Sequence, residues 1–321
     1  MKNYWESKAT FNPAAVYESG KVHLVYRAIG DQDISVLGYA ASKDGIHIDE
    51  RLKQPIYTPS LPFEHNGAPP SCLIPYMSGG GWGGCEDPRL TKLGNRIYMT
   101  YVAFNGWEPP RIALTSISAD DFLNHNWNWR QPQLISKPGV VDKNGCIFPE
   151  KINGKYVILH RIFPDILIDF VDSLDFDGRT FLKGEFAIKP RYMNWDSRKI
   201  GAGPPPIKTD QGWLVIYHAV DEADSGRYKM GAMLLDLKNP TRVLARAKKP
   251  ILEPDQRYEN EGYKPGVAYP CGAVTLEKKL FVYYGGADQV VCAATANMDN
   301  FLNQLQYSQL PQLTPVSVSK N

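Results

Sequence analysis

A short apolar run behind a turn of Gly, Asn or Lys occurs five times along this chain: Lys21–Arg27, Asn95–Tyr101, Gly154–Arg161, Gly212–His218 and Lys279–Gly285. Its β-branched and aromatic content marks each copy as a β-strand. Upstream of each, a proline opens another apolar run, at Pro13, Pro88, Pro149, Pro206 and Pro270. Proline is tolerated at the first residue of a strand, so these prolines are expected there. A third run follows each copy, at Val36–Ser42, Ile112–Ser118, Leu167–Asp172, Lys229–Asp236 and Val290–Asn297. Further strands are expected at Pro55–Thr58, Gln133–Ser136, Thr180–Ile188 and Val243–Leu252, and helix only at Asp120–His125 and Asp299–Leu305.

The five prolines are separated by 75, 61, 57 and 64 residues. A repeat of about 60 residues with three or four strands is the pattern of small sheets arranged around a channel. The expected fold is therefore all-β, a single five-bladed β-propeller over residues 1–321, with blades near 10–75, 85–140, 145–195, 200–255 and 268–297. A β-sandwich has similar hairpins, but it does not explain why all the marks return in the same order. Composition agrees: 27 Gly, 25 Pro and 12% aromatics favour turns and strands over helix.

Charge and cysteine usage narrow the function. The net charge is +2 and no long basic run exists, so nucleic acid and anionic membrane are not expected partners. No apolar stretch is long enough to span a membrane, and Met1–Glu6 lacks the apolar core of a secretory signal. Cys72, Cys85, Cys146, Cys271 and Cys292 form no CxxC pair, and the six histidines show no metal-ligand spacing. The expectation is a cytoplasmic protein with free thiols and no metal.

In a propeller, polar residues at the inner strand mouths converge from all blades. Those next to the repeat marks are Asn12, Glu86, Asp87, Lys143, Glu150 and Lys199, with Arg27, Arg161, His218 and Asp288 at strand ends. The strongest local signal is Gly79–Thr91, where glycines and Trp82 precede two adjacent carboxylates. Neighbouring strand residues point to opposite faces, so only one of Glu86 and Asp87 should reach the channel. The plainer alternative is a turn aspartate with a salt bridge to Arg89. Lys143, Arg161, Lys199 and His218 together suit a phosphate-sized anion. The Gly-x-Gly after Lys199 precedes no helical pattern, which argues against a nucleotide loop. Trp82, Trp107, Trp127, Trp129 and Trp195 fall in loops, where indoles can stack on sugar rings; at least half of the tryptophans are expected to serve ordinary packing.

The sequence resembles glycoside hydrolase family 130, the β-mannoside phosphorylases and related β-mannosidases. The resemblance rests on Cys85-Glu86-Asp87-Pro88-Arg89, Phe148-Pro149 with Lys151-Ile152-Asn153-Gly154, Lys199-Ile200-Gly201-Ala202-Gly203-Pro204, Ile216-Tyr217-His218, and Tyr283-Tyr284-Gly285 with Ala287-Asp288. It implies a five-bladed propeller and a general acid at Asp87, which protonates the glycosidic oxygen through the mannose 3-hydroxyl. It implies phosphate contacts at Lys143, Arg161, Lys199, His218 and Tyr228, and sugar contacts at Asn12, Arg27, Glu86, Arg89 and Asp288. Lys143 stands where some members carry arginine, keeping the charge without the bidentate fork.

Phosphorolysis needs no organic or metal cofactor. Inorganic phosphate is the co-substrate, and the product from a β-linked manno-oligosaccharide, β-1,2 or β-1,4, is α-mannose 1-phosphate. One carboxylic acid facing several cations reads as phosphorolysis, whereas two opposed carboxylates would read as hydrolysis. The alternative is a β-mannosidase of the same fold in which Glu150 or another carboxylate activates water. A non-catalytic carbohydrate-binding propeller is the reading from a different class. Association with further copies of the chain stays open.

Overall fold

The computed structural model describes residues 3–67, 79–307 and 309–317; Cys72 and part of the Leu61–Gly84 loop lie outside them. The chain folds as five consecutive antiparallel meanders. The first contains β1 (Ala9–Glu18), β2 (Lys21–Ile29), β3 (Ile34–Ser42) and β4 (Glu50–Arg51). The second contains β5 (Gly83–Leu93), β6 (Arg96–Phe104), β7 (Arg111–Ser118) and β8 (Gln133–Leu134). The third contains β9 (Lys143–Ile147), β10 (Tyr156–Ile162), β11 (Asp165–Val171) and β12 (Phe186–Ile188). The fourth contains β13 (Lys199–Ala202), β14 (Ile207–Thr209), β15 (Gly212–Val220), β16 (Lys229–Leu235) and β17 (Val243–Arg246). The fifth contains β18 (Ala268–Leu276), β19 (Lys279–Gly286), β20 (Val290–Asn297) and β21 (Thr314–Pro315).

A short parallel pairing, Ile34 with Gly83 and Ser35 with Gly84, joins the first two meanders into one sheet. Among the described residues the two α-helices, α1 (Ala119–Leu123) and α2 (Met298–Gln306), fall where the sequence places them, capped by Ser118 and Asn297. Among the described residues no helix is long and apolar enough to cross a membrane.

The repeated runs at Lys21, Asn95, Gly154, Gly212 and Lys279 are the second long strand of each meander. They read as nearly unbroken apolar stretches because both faces are covered. Leu24 and Tyr26 pack against Phe281 and Tyr283, whereas Val25 between them packs with Met99 and Tyr101. On β10, Ile158 joins Ile112 and Leu114 while Leu159 joins Trp213 and Tyr217. On β15 and β19, Ile216 and Val282 meet in a further cluster, closed by Phe301 of α2. The five large apolar clusters thus lie between meanders one and two, two and three, three and four, four and five, and five and one. In keeping with that circuit, β1 packs against both β5 and β18.

Two local expectations differ from what is observed. Pro13, Pro88 and Pro270 lie inside β1, β5 and β18, not at their first residues, and each sits where the pairing register shifts, while Pro149 follows the end of β9 and opens no strand, and Pro206 directly precedes β14. A bulge interrupts the ladder, so the missing proline N–H costs nothing there. The outer strand of the first meander is Glu50–Arg51, and Pro55–Thr58 contributes only an isolated bridge from Tyr57 to Leu37.

Two-faced burial has a direct test. Ile158 and Leu159 are adjacent, both fully buried, and face different cores. Ile158→Ala and Leu159→Ala should each destabilise the protein by about 2–5 kcal/mol in urea titrations. A cost below about 1 kcal/mol for either would contradict burial of both faces.

Candidate active site

Nine of the eleven residues expected to act as acid, phosphate contact or sugar contact line one cavity: Asn12, Arg27, Asp87, Lys143, Arg161, Lys199, His218, Tyr228 and Asp288. They come from all five meanders. The bulges explain how inward strands present them. Asn12 and Asp87 sit at the register shifts of β1 and β5 with φ near 49°, and Asn144 on β9 has φ 60°. Asn and Asp tolerate this left-handed region better than most residues, and the bulge turns the side chain out of the alternation of the strand.

One half of the cavity is built around Asp87. Asn12 Nδ2 donates to Asp87 Oδ1 at 2.7 Å, and Arg27 Nη1 reaches the same oxygen at 3.3 Å. Arg27 also donates through Nη2 to Glu86 Oε1 at 2.8 Å and through Nε to Ser35 Oγ at 2.9 Å. Asp288 completes this half. Burial works to raise the Asp87 carboxyl, but Arg27, the Asn12 bond, Lys143 and Arg89 together hold it below the usual carboxylate range. Asp288 responds oppositely. Burial, with the charges of Asp87 and Glu86 adding to it against Arg27 and Lys264, pushes it up to about 6.

Glu86 and Arg89 are placed differently from the sugar contacts expected of them. Only Asp87 of the adjacent carboxylates lines the cavity; Glu86 is fully buried behind it, holding Arg27 and lying 3.7 Å from Lys143 Nζ. Arg89 is also buried, and it is not the local ion-pair partner of Asp87. Its Nη1 donates to the carbonyls of Ala202 and Gly203, and its guanidinium lies over the Tyr269 ring, tying β5 to β13.

The other half gathers cations. Arg161 Nε donates to Asn144 Oδ1 at 2.7 Å, and Asn144 in turn donates to the Tyr269 hydroxyl. Lys199 Nζ donates to the Tyr228 hydroxyl, and Lys264 Nζ lies 4.1 Å from the centre of the same ring. These partners are neutral; among the described residues none of Arg161, Lys199 and Lys264 is paired with a carboxylate. The His218 ring stacks on Tyr228 at 5.8 Å and lies tilted 4.6 Å from Tyr269, and its Nδ1 has no hydrogen-bond partner among the described residues. Burial and the charges of Arg161, Lys199, Arg89 and Lys264 hold His218 well below its ordinary value, so it is neutral. Gly201 permits the packing beneath: a Cβ there would overlap the His218 ring and stand 2.6 Å from Asn144 Oδ1. The Gly-x-Gly is therefore a close-approach device.

Lys264, Val267 and Tyr269 also line the cavity and were not singled out from sequence. Tyr269 carried a signal, because it precedes Pro270 as Asn12 precedes Pro13 and Asp87 precedes Pro88. Lys264 had none: it arrives on the segment before β18, held by its own N–H to the Ala287 carbonyl at 3.0 Å. None of the tryptophans lines the cavity. Trp127 and Trp129 pack on Phe122, Trp195 stacks on Tyr217, and Trp82 is buried beside His65, leaving Trp107 exposed.

A buried cavity that is half hydrogen-bonding carboxylates and amides and half uncompensated cations defines a site for an anion beside a polyhydroxyl group, as in a carbohydrate-active enzyme. Comparison with known proteins gives the family. Residues 2–307 match the family model of glycoside hydrolase family 130, described as β-1,4-mannooligosaccharide phosphorylase, and the chain belongs to this family. A 1,2-β-oligomannan phosphorylase of Thermoanaerobacter sp. (strain X514) is 40% identical over 304 residues, 92% of this chain and 93% of that protein. A β-1,4-mannooligosaccharide phosphorylase of Ruminococcus albus is 30% identical over 94% of this chain and 86% of its own length. The structure of the β-1,2-mannobiose phosphorylase from Listeria innocua in complex with β-1,2-mannobiose superposes with a TM-score of 0.72 at 26% identity, over 94% of this chain and 92% of that one.

The cation half makes a spectroscopic prediction. Burial alone would raise the Tyr228 phenol, but Lys264 and Lys199 more than reverse this and leave it at about 8. Ultraviolet difference titration of the protein against Tyr228→Phe should show one phenolate forming near pH 8. Lys264→Met should move that midpoint toward the ordinary ~10. A midpoint unmoved by Lys264→Met would show that the ammonium does not act on this ring.

Proposed function

We propose that the protein is an inverting β-mannoside phosphorylase and that its five meanders are the blades of a single five-bladed β-propeller. The five apolar clusters, one between each successive pair of meanders and one between the last and the first, support the propeller. The observation that carries the activity is the division of the cavity. Asp87 is held by Asn12 and Arg27 at one end, and Arg161, Lys199 and Lys264, free of carboxylate partners among the described residues, stand at the other.

Phosphate arrives as an anion and needs no base; it needs cations that hold it in line with the leaving group. Arg161, Lys199, Tyr228 and Lys264 bind it, with neutral His218 and Lys143 at its edges. A phosphate oxygen forms a bond to the anomeric carbon as the bond from that carbon to the glycosidic oxygen breaks. The proton of Asp87 passes to that oxygen through the mannose 3-hydroxyl, leaving α-mannose 1-phosphate and a shortened sugar. Asn12, Arg27 and Asp288 hold the mannosyl unit. The acid must be protonated at the start, yet the surrounding cations favour its ionised form. A bound phosphate dianion offsets that field and raises the affinity of Asp87 for a proton, so the nucleophile prepares the acid.

The hydrolase alternative loses its expected base. Glu150 is exposed and bonded to Lys208 Nζ at 2.6 Å, away from the cavity lining. The remaining lining carboxylate, Asp288, interacts with Arg27 and Asp87, on the side of the acid. For the linkage we favour β-1,2, the linkage in the name of the relative at 40% identity, over the β-1,4 linkage of the one at 30%. Free thiols and a phosphate-dependent reaction suit a cytoplasmic enzyme.

Incubation with β-1,2-mannobiose should yield mannose 1-phosphate only when phosphate is present. Mannose release indifferent to phosphate would overturn phosphorolysis in favour of hydrolysis, and sugar binding without turnover would make the chain a binding module. Asp87→Asn should lower kcat by about 10²–10⁴ while leaving the fold intact; near-normal turnover would remove it as the acid. Lys199→Ala should raise the KM for phosphate about tenfold or more with little change in the KM for sugar, and equal effects on both would argue against a phosphate contact.

A further inference from the structure

Behind the cation half lies a charged cluster that the reaction above does not use. His160 on β10 is fully buried, with Nδ1 2.8 Å from Asp142 Oδ2 and Nε2 2.8 Å from Asp169 Oδ2. Both carboxylates are buried too. A neutral imidazole has a single N–H, so two carboxylate acceptors on its two nitrogens call for the doubly protonated ring. The electrostatics agree: burial lowers its proton affinity, but Asp142 and Asp169 outweigh it and raise it to about 9. Arg111 also lies within electrostatic reach of Asp142.

The position of this cluster in the chain gives it a role. Asp142 immediately precedes Lys143, and His160 immediately precedes Arg161. Arg161 and Lys143 are register partners across β10 and β9, beside the register shift. The third member, Asp169 on β11, also accepts the backbone N–H groups of Lys183 and Gly184, which fixes it from the outer side.

We propose that His160 is a positioning residue of the anion site: clamped between Asp142 and Asp169, it locks the strand pair that presents Lys143 and Arg161 and so sets the affinity for phosphate without touching it. The inference rests on the phosphorylase reading. The register shift between Leu159 and Arg161 breaks the regular ladder beside these two cations, and small displacements of an anion cradle weaken it steeply. A charged cross-link one residue behind both of them supplies that rigidity.

The stabilisation carries a sign in pH. The folded proton affinity lies above the ordinary ~6.5, so the contribution is complete below that pH and is lost as pH rises through about 9. Histidine ¹⁵N spectra at pH 8 should therefore show one ring with both nitrogens protonated, absent in His160→Gln.

The deciding experiment is calorimetry with inorganic phosphate and, separately, with β-1,2-mannobiose. Wild type should bind both. His160→Gln should weaken phosphate at least tenfold and mannobiose less than twofold. The double variant His160→Gln/Asp142→Asn, which no longer leaves Asp142 charged against a neutral amide, should recover part of the phosphate affinity. Equal losses for both ligands, or an unchanged phosphate affinity, would overturn the proposal. If His160→Gln does not fold, Asp142→Asn and Asp169→Asn each remove one side of the clamp and must show the same selective loss. A wild type that binds no phosphate at all would instead sink the phosphorylase reading, so the two failures are distinguishable.

Discussion

The structure depends on burying both faces of its second strands. A strand such as β10 cannot give Ile158 to one cluster and Leu159 to another unless a sheet stands on each side of it. Five meanders arranged so that each has two neighbours satisfy that demand without leaving an apolar face in water. The arrangement has a cost for function. With both faces committed to packing, polar chemistry fits only where the strands end or where their alternation breaks. Asn12 and Asp87 at register shifts, and Arg27, Arg161 and His218 toward strand ends, occupy those places.

Charge is distributed in the cavity according to the same economy. Arg27 is fully buried and survives because Glu86 and Asp87 neutralise it and Ser35 Oγ accepts from its Nε. Glu86 does this out of sight of the cavity, so of the two adjacent carboxylates only Asp87 faces it. Arg161, Lys199 and Lys264 lack such partners among the described residues, and like charges buried together disfavour one another. Burial lowers the proton affinity of Lys199, with Arg161 and Lys264 adding to it, and the charges of Lys264 and Lys199 bring the Tyr228 phenol down to about 8. A site that is unfavourable alone and relieved by an anion is one way in which binding strength is stored in a fold.

Much was legible in the amino-acid order. β-Branched and aromatic runs located the second and third long strands of each meander, because burial on two faces leaves an unbroken apolar signature, but they missed β9 and β13. Pro13, Pro88 and Pro270 marked the first strands of their meanders because a bulge is where a strand tolerates a residue without an N–H, whereas Pro149 falls after β9 and Pro206 before β14. Their place within the strand was not legible, since a bulge is a property of pairing with a neighbour. The same reason hid the true partners of Glu86 and Arg89. Each looked like a neighbour of Asp87, but their bonds run to Arg27, 59 residues away, and to the carbonyls of Ala202 and Gly203. Glu150 looked available and is instead a surface partner of Lys208.

By itself the sequence determined the strands, their fivefold order and which polar side chains lie next to strand mouths, because these follow from local pattern and spacing. Only the tertiary structure decided which of those side chains meet. It put Lys264 with Lys199 on one tyrosine, set His160 between two aspartates, and left Trp127, Trp129 and Trp195 in packing. The physical reason is that electrostatic and hydrogen-bonding partners act over a few ångströms in space, whereas the residues that make them are separated by tens of positions in the chain.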